Sequence, residues 1–269
     1  MDGTTKEAMI FILGGRGLVG SAFARVCEAE GREFAILDRT TYREYVGQRC
    51  DVFVNANGNS RKPLAKQDPM ADFDASVRSV RASLVDFRFG RYLHLSSCDV
   101  YADCSSPGLT REEQALDVAA QSPYGFHKYL AEECVRHAAA DWLIFRLGGF
   151  VGPGLKKNAI FDILHGGPLW LDPRSELQFL HTEDAARIML RLAAGADSRE
   201  VFNLCGRGTI ALSEVLAHTG RRVAVTPESP RVRYEVNIGK ISRRVEVPET
   251  RTAVLSFVDT LKESVSPGS

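Results

Sequence analysis

The 269-residue sequence predicts an α/β fold: a doubly wound parallel sheet with a smaller lobe at its C-terminal end. Three observations predict it. Short apolar runs alternate with helical patterns through the first half of the chain. A glycine-rich turn joins the first apolar run to the first helical pattern. The texture changes after about Val151, where Gly152-Pro153-Gly154 breaks the chain.

The elements follow in order. Met9–Leu13 is an apolar run ending in glycines, and Leu18–Glu30 carries Leu18, Val19, Phe23, Val26 and Cys27 at helical spacing. Glu33–Leu37 and Asp51–Asn55 are the second and third strands. Ala71–Phe87 reads as one helix, with Phe73, Val77, Val80, Leu84 and Phe87 on one face. Tyr92–Leu95 is a fourth strand, Tyr124–Ala139 a long helix and Trp142–Arg146 a fifth strand. Strands separated by helices imply βαβ units and a sheet covered on both faces. Beyond the break, a helix is expected near Asn158–His165, an extended stretch at Gln178–His181 and a helix from Glu183 to Ala194. A strand near Val201–Leu204 and a last helix near Arg251–Lys262 follow, with Ser264–Ser269 as a frayed tail. Trp170 is expected in the core of the second lobe.

Composition excludes several classes. At 44% hydrophobic and 25% charged, the chain has the make-up of a soluble globular protein. Lys+Arg and Asp+Glu both total 34, so there is no net positive field to grip nucleic acid. No stretch approaches the ~20 apolar residues that span a bilayer, and Met1–Lys6 lacks the pattern of a secretory signal. Cysteines 27, 50, 98, 104, 134 and 205 form no CxxC pair. Reduced thiols in a cytoplasm, without a disulfide framework or a metal site, are the expectation.

Gly14, Gly17 and Gly20 give GxxGxxG, after a strand and into a helix. Missing Cβ atoms let the backbone turn tightly against a pyrophosphate, and the N–H groups of the helix start, including those of Leu18 and Val19, point at the anion. Asp38 ends the second strand, where a carboxylate accepts hydrogen bonds from adenosine ribose hydroxyls and favours NAD. Arg39 beside it would pair a 2′-phosphate, which keeps NADP open. A tight turn with close helix–sheet packing is the alternative reading of the glycines.

Tyr124 and Lys128 are four apart at the start of the second long helix, so both project from one face. An ammonium there would lower the phenol pKa and let the tyrosinate exchange a proton with a substrate hydroxyl. Ser97 ends the fourth strand, at the side of the sheet where open α/β folds place ligands, so its hydroxyl would reach the same substrate oxygen.

Together these residues resemble the extended branch of the short-chain dehydrogenase/reductase superfamily, the NAD-dependent epimerases and dehydratases, on a Rossmann-type sheet. The resemblance runs from about Met9 to Asn203. It includes the glycine loop, Asp38, Asp51–Gly58, Ser97, Tyr124/Lys128 and Arg146…Gly152-Pro153. Gln178–Asp184 looks like the family's "FIHVDD" segment and Val201–Leu204 like its "YNV" strand. The resemblance implies that Tyr124 is the general acid/base, that Lys128 lowers its pKa and holds the nicotinamide ribose, and that Ser97 positions the reacting group. It implies that Asp51 contacts the adenine and that Val52, Asn55, Ala56 and Asn57, with the loop to Gly58, line the cofactor. The division expected is a dinucleotide-binding domain over 1–150 and a substrate lobe over 151–269, partly interleaved with it. A homodimer through the two long helices is the default.

The sequence also departs from the family pattern. Where 4,6-dehydratases carry an Asp-Glu pair after the catalytic hydroxyl, this chain has Cys98 and Asp99. Gly149 stands in the Asn slot of "RxxNxxGP", and Ser76 where a helix Asn is common. Cys98 with His181 is a candidate acid/base pair, against the reading of Cys98 as a small buried residue. Ser97, Cys98, Asp99, Gly149, Lys156 and Arg174 are the candidate substrate contacts, with Lys157, Arg231 and Arg233 as further basic candidates for an anionic group. The function expected is an NAD(P)-dependent epimerase or ketone reductase acting on a sugar nucleotide or related polyol. A sugar-nucleotide dehydratase and a non-catalytic dinucleotide-sensing regulator on the same fold are the alternatives.

Overall fold

The apolar runs of the first half become a six-stranded sheet. In the computed structural model, which describes residues 8–265, the chain runs β1 (Ile10–Leu13), α1 (Leu18–Ala29), β2 (Phe34–Leu37), α2 (Tyr42–Tyr45), β3 (Arg49–Asn55), α3 (Lys62–Gln67), α4 (Pro69–Phe73), a π-helical turn (Asp74–Arg78), α5 (Ser79–Asp86) and β4 (Arg88–Ser97). It continues through α6 (Pro123–Ala138), β5 (Trp142–Leu147), β6 (Gly149–Val151), α7 (Ala159–His165), β7 (Glu176–Leu177), β8 (Phe179–His181), α8 (Thr182–Ala193) and β9 (Glu200–Leu204). It closes with β10 (Ile210–Ala211), α9 (Leu212–Thr219), α10 (Gly239–Ser242) and α11 (Thr250–Val265). The expected frayed tail lies largely outside the described residues.

The strand order is β2-β1-β3-β4-β5-β9, with β1 parallel to β2 and β3, and β3 parallel to β4. The order reverses between β1 and β3, and a crevice opens beyond the carboxyl ends of strands at such a point. All four residues of β1 are buried, as expected of a strand covered on both faces. Residues 38–48 alone connect β2 to β3, and β2 is the sheet's edge.

The chain divides into two compact units. The first comprises the residues up to Ala102, Leu116–Arg146 and Ala186–Phe202; the second comprises Asp103–Ala115, Leu147–Ala185 and the residues from Asn203 onward. The first has a core of Phe11, Leu37, Phe53, Phe87, Tyr92, Val135, Trp142 and Ile144. Phe53 stacks on Tyr92 at 5.2 Å between centroids and tilts against Phe87 at 5.0 Å. Burying each such ring contributes roughly 1.5–3 kcal/mol before its entropy cost. The second unit buries Val151, Ile160, Leu169, Phe179, Leu212, Val254 and Val258.

Three expectations differ from the structure. The stretch 71–87 is not one helix: Pro69 starts α4, and a π-helical turn interrupts the run before α5. The strand at 200–204 joins the main sheet beside β5 rather than belonging wholly to the C-terminal lobe. Trp170 is 65% exposed and fills no core. Among the described residues no helix is long and apolar enough to cross a membrane, no cluster of metal-ligating residues forms, and no disulfide joins any of the six cysteines.

Candidate active site

The glycine turn is built by close packing. Gly14 sits at φ +80°, and a Cβ on it would lie 2.9 Å from the backbone of Ala56 and Asn57. A Cβ on Gly20 would lie 2.2 Å from the Gly14 carbonyl, so the turn folds onto the first turn of α1 only without side chains. Gly17 caps α1 in an extended conformation, with no side-chain cap bond and no acidic residue in the first turn. The N–H groups at Leu18 and Val19 therefore belong to a helix start that no side chain of its own neutralises, the condition for receiving a phosphate. This cradle fits the pyrophosphate of a dinucleotide.

At the end of β2, Asp38 is heavily engaged. It accepts from the Thr40 backbone N–H at 2.8 Å, the Thr40 hydroxyl at 2.6 Å and the Thr41 N–H at 3.2 Å, and pairs with Arg16 at 2.6 Å. The Thr40 bonds foremost hold its carboxyl well below the usual range. Arg16, Asp38, Arg39 and Thr40 line a hollow of about 280 Å³. Ala56 and Asn57 lie against the glycine turn, and Ala56 N–H donates to the Leu13 carbonyl at 2.9 Å.

Asp51 and Val52 are placed elsewhere. Val52 pairs with Ile10 at the start of β1, and Asp51 accepts from the Met9 N–H at 2.9 Å, so both sit at the end of the strands opposite to the glycine turn. Asn55 reaches the right end, but its side chain points inward, donating to Ser83 at 3.2 Å and Tyr92 at 2.6 Å. It anchors the turn through its Oδ1, which accepts from the Asn57 N–H at 3.0 Å.

The catalytic candidates converge. Ser122 caps α6 by accepting from the Gly125 N–H at 3.1 Å, and Pro123 occupies the first turn. A Cβ on Gly125 would lie 2.0 Å from the Asp99 carbonyl, so only glycine lets the start of α6 press against the end of β4. That approach brings the Tyr124 phenol near the Ser97 hydroxyl, which pulls the phenol's pKa down against burial. Ser97 also donates to Asp99 Oδ2 at 3.0 Å, and Asp99 pairs with Lys62 at 2.7 Å. Lys128 Nζ lies 5.8 Å from the Tyr124 ring centroid and 3.1 Å from where a Cβ on Gly58 would be.

The electrostatics differ from the sequence expectation. Tyr124 is 8% exposed, and burial, then the Asp99 carboxylate, push its phenol up. Burial pushes Lys128 itself down to about 8, against the pull of Asp72, Asp99 and Glu132. The side chain thus holds a buried charge close to its limit.

Sequence reasoning missed the groups behind this pair. Asp72 is fully buried and accepts from His127 Nδ1 at 2.6 Å and Asn59 Nδ2 at 2.6 Å. Glu132, also fully buried, holds Arg146 through two bonds of 3.0 and 2.8 Å and accepts from Ser96 at 2.6 Å. Arg146 was visible as a motif residue; its partner was not. His94 on β4 is buried beside Lys128 and Glu132, with no protein partner for either ring nitrogen.

The substrate-side candidates separate. Cys98 is fully buried, its Sγ at 3.2 Å from the Arg146 carbonyl, so the thiol is closed to a substrate. Gly149, in the second unit, pairs with Phe179, and a Cβ there would lie 2.6 Å from the Gln178 carbonyl; it is glycine for packing. Lys156 is exposed. Arg174 is bound to Asp172 through bonds of 3.0 and 2.6 Å, and Arg233 pairs with Glu176 and Glu235. His181, also in the second unit, accepts from the Glu183 N–H at 3.4 Å.

Comparison with known proteins follows the same lines. The model of the family described as "NAD dependent epimerase/dehydratase family" matches residues 10–205. No curated protein matches the sequence. Among solved structures, UDP-glucose 4-epimerase of Thermotoga maritima with UDP-glucose has a TM-score of 0.78 at 15% identity, over 96% of this chain and 100% of its own. RMD from Pseudomonas aeruginosa, complexed with NADPH, gives 0.76 at 19% over 94% and 99%. DesIV, a dTDP-glucose 4,6-dehydratase from Streptomyces venezuelae with NAD bound, gives 0.75 at 22% over 95% and 97%.

Proposed function

Because the chain belongs to the NAD dependent epimerase/dehydratase family, we propose that it moves a hydride between a nicotinamide dinucleotide and a hydroxyl-bearing or keto carbon of a sugar nucleotide, with Tyr124 moving the proton. The observation that carries this reading is the gathering of Tyr124, Ser97 and Lys128 at the end of β4, with the Lys128 ammonium 5.8 Å from the Tyr124 ring and beside the Gly58 turn. The dinucleotide, when bound, supplies the hydride acceptor or donor.

This chain's residues do the rest. The uncapped start of α1 receives the pyrophosphate, and Asp38 with Arg39 meets the adenosine ribose. Tyr124, kept protonated by burial and Asp99, enters as the acid: its O–H protonates a carbonyl oxygen as the adjacent carbon is reduced. In the oxidising direction the same oxygen takes the proton back. Ser97 bonds the reacting oxygen beside it, and Lys128 holds the nicotinamide ribose. Cys98, enclosed as it is, offers no acid for a dehydratase elimination, and Asp99 is tied to Ser97 and Lys62. Epimerisation or net reduction of a sugar nucleotide is therefore favoured over dehydration. A homodimer working in the cytoplasm completes the reading.

The test starts with NAD(H) and NADP(H) binding by thermal shift, then turnover on a panel of sugar nucleotides. Tyr124→Phe should lower turnover by about 10²–10⁴-fold while leaving dinucleotide binding in place. Net consumption of reduced dinucleotide identifies a reductase, and isomerisation without it an epimerase. Undiminished turnover in Tyr124→Phe, or no response to either dinucleotide, overturns the reading.

A further inference from the structure

Three carboxylates act on Lys128: Asp72, Asp99 and Glu132. Two are committed to other cations. Glu132 is bound to Arg146 at 2.8 Å and Arg136 at 3.2 Å, and Asp99 to Lys62 at 2.7 Å. Asp72 has no lysine or arginine within pairing distance among the described residues. Its partners are the His127 imidazole at 2.6 Å, the Asn59 amide at 2.6 Å and, at 3.5 Å, the Ser76 hydroxyl.

These partners link the elements around Lys128. His127 is the residue before Lys128 on α6. Asn59 follows Gly58, the residue against which the ammonium rests, and its backbone N–H donates to Ser76 at 3.4 Å. The Asn59 side chain also donates to the Arg61 carbonyl at 2.9 Å, and its Oδ1 accepts from the Arg61 N–H at 2.7 Å. Asp72 and Ser76 stand four apart where α4 passes into the π-helical turn, an insertion often found at functional places in helices. A full negative charge in such a spot is costly unless it answers a positive one. Phe73 covers the imidazole edge-on at 5.7 Å.

We propose that Asp72 is a positioning residue for Lys128: a buried carboxylate, fixed by His127 and Asn59, that supplies the counter-charge to the ammonium and locks the turn on which it rests. His127 orients the carboxylate, and Asn59 transmits its position to Gly58. The titratable groups that face Lys128 are Asp72 from α4, Asp99 after β4, His94 from β4, and Tyr124 and Glu132 from its own helix. Removing the Asp72 charge leaves Lys128 among groups already paired or neutral. The proposal rests on the reading of Tyr124 and Lys128 as a proton-handling pair, but its physical claim is testable without turnover.

The experiment uses the full chain without ligand, labelled with ¹³C-lysine, and follows the Lys128 ε-methylene resonance against pH. Lys128→Met identifies that resonance. Asp72→Asn, which preserves shape and removes charge, should lower the Lys128 midpoint by about one unit or more from its value of about 8. A folded Asp72→Asn whose midpoint stays within about 0.3 unit of wild type, or rises, overturns the proposal. If Asp72→Asn does not fold, His127→Gln decides. The carboxylate then loses the group that orients it toward Lys128, so the midpoint should fall by more than about 0.3 unit; a midpoint that holds or rises overturns the proposal. Once a substrate is in hand, the alkaline limb of kcat/KM in Asp72→Asn should move down with the midpoint, which a purely structural role would not produce. Absence of turnover would sink the proposed function and leave the NMR result standing.

Discussion

His94 converts burial into a measurable dependence of stability on pH. It sits in β4, 1% exposed, and burial first, then the Lys128 charge, push its imidazole from 6.5 down to about 3. Glu132 pulls the other way and loses. The folded protein therefore keeps His94 neutral at pH values where the unfolded chain takes up a proton. A depressed folded value on a base means that its contribution is fully present above 6.5 and is lost as pH falls toward about 3. The slope is about 1.4 kcal/mol per pH unit, so about 3 kcal/mol is lost between pH 6.5 and 4.5, before most carboxylates titrate. His94→Leu removes the titration. Neither ring nitrogen has a protein partner, so the substitution should cost less than about 1 kcal/mol at pH 8. Urea unfolding of both proteins at pH 8, 6.5, 5.5 and 4.5 measures the difference. Wild type should lose ground to His94→Leu at each step below 6.5. Parallel curves would show that the imidazole finds its proton, or a partner, in the folded state, and the argument from burial would fail.

Other outcomes follow from the same site. Glu132→Gln leaves the Arg146 guanidinium buried beside a neutral amide and should cost about 3–5 kcal/mol in chemical denaturation; a loss below about 1 kcal/mol refutes the network's role. Burial pushes the Glu132 carboxyl up, but Arg146, Ser96 and Arg136 together hold it below its usual 4.5, so in wild type this contribution is present above 4.5 and fades as pH falls beneath it. Gly20→Ala drives a methyl into the Gly14 carbonyl and should weaken dinucleotide binding at least about tenfold, read by NADH fluorescence, with a destabilisation of about 1–3 kcal/mol. Asp38→Ala should lower affinity for NAD(H) about tenfold while affinity for NADP(H) holds or rises; equal losses for both would remove Asp38 from the ribose.

What was legible in the sequence depended on the range of the interaction. The glycine turn, Ser97 and the Tyr124/Lys128 pair are local patterns, and the strand ends carry them to one mouth of the sheet. Asp51 shows the limit of that reasoning. It stands four residues before Asn55, and parallel strand direction puts it at the far end of β3, a fact that depends on register rather than residue type. The loss of one helix to three pieces between Pro69 and Asp86 was hidden because the apolar spacing survives a π-helical turn. Asp72 and His127 are 55 positions apart in no motif, so only the fold reveals their bond. Cys98 was a candidate by its slot right after Ser97; in the structure it begins the turn after β4 and its thiol faces the Arg146 carbonyl, which no motif encodes. The phenol's raised value was equally hidden, since the sequence names Lys128 as a neighbour but not how thoroughly the ring is shielded from water.

The return of the chain to the first unit through α8 and β9 bears on how this protein tolerates being shortened. A fragment ending near residue 150 would lack β9, the strand that lies beside Trp142–Leu147. That would leave the run Trp-Leu-Ile-Phe-Arg-Leu with bare amide and carbonyl groups along one side, a ready template for stacking onto another copy. Expressed alone, that fragment should therefore precipitate or assemble into β-rich aggregates. Supplying Ala186–Leu204 on a linker should restore a soluble particle.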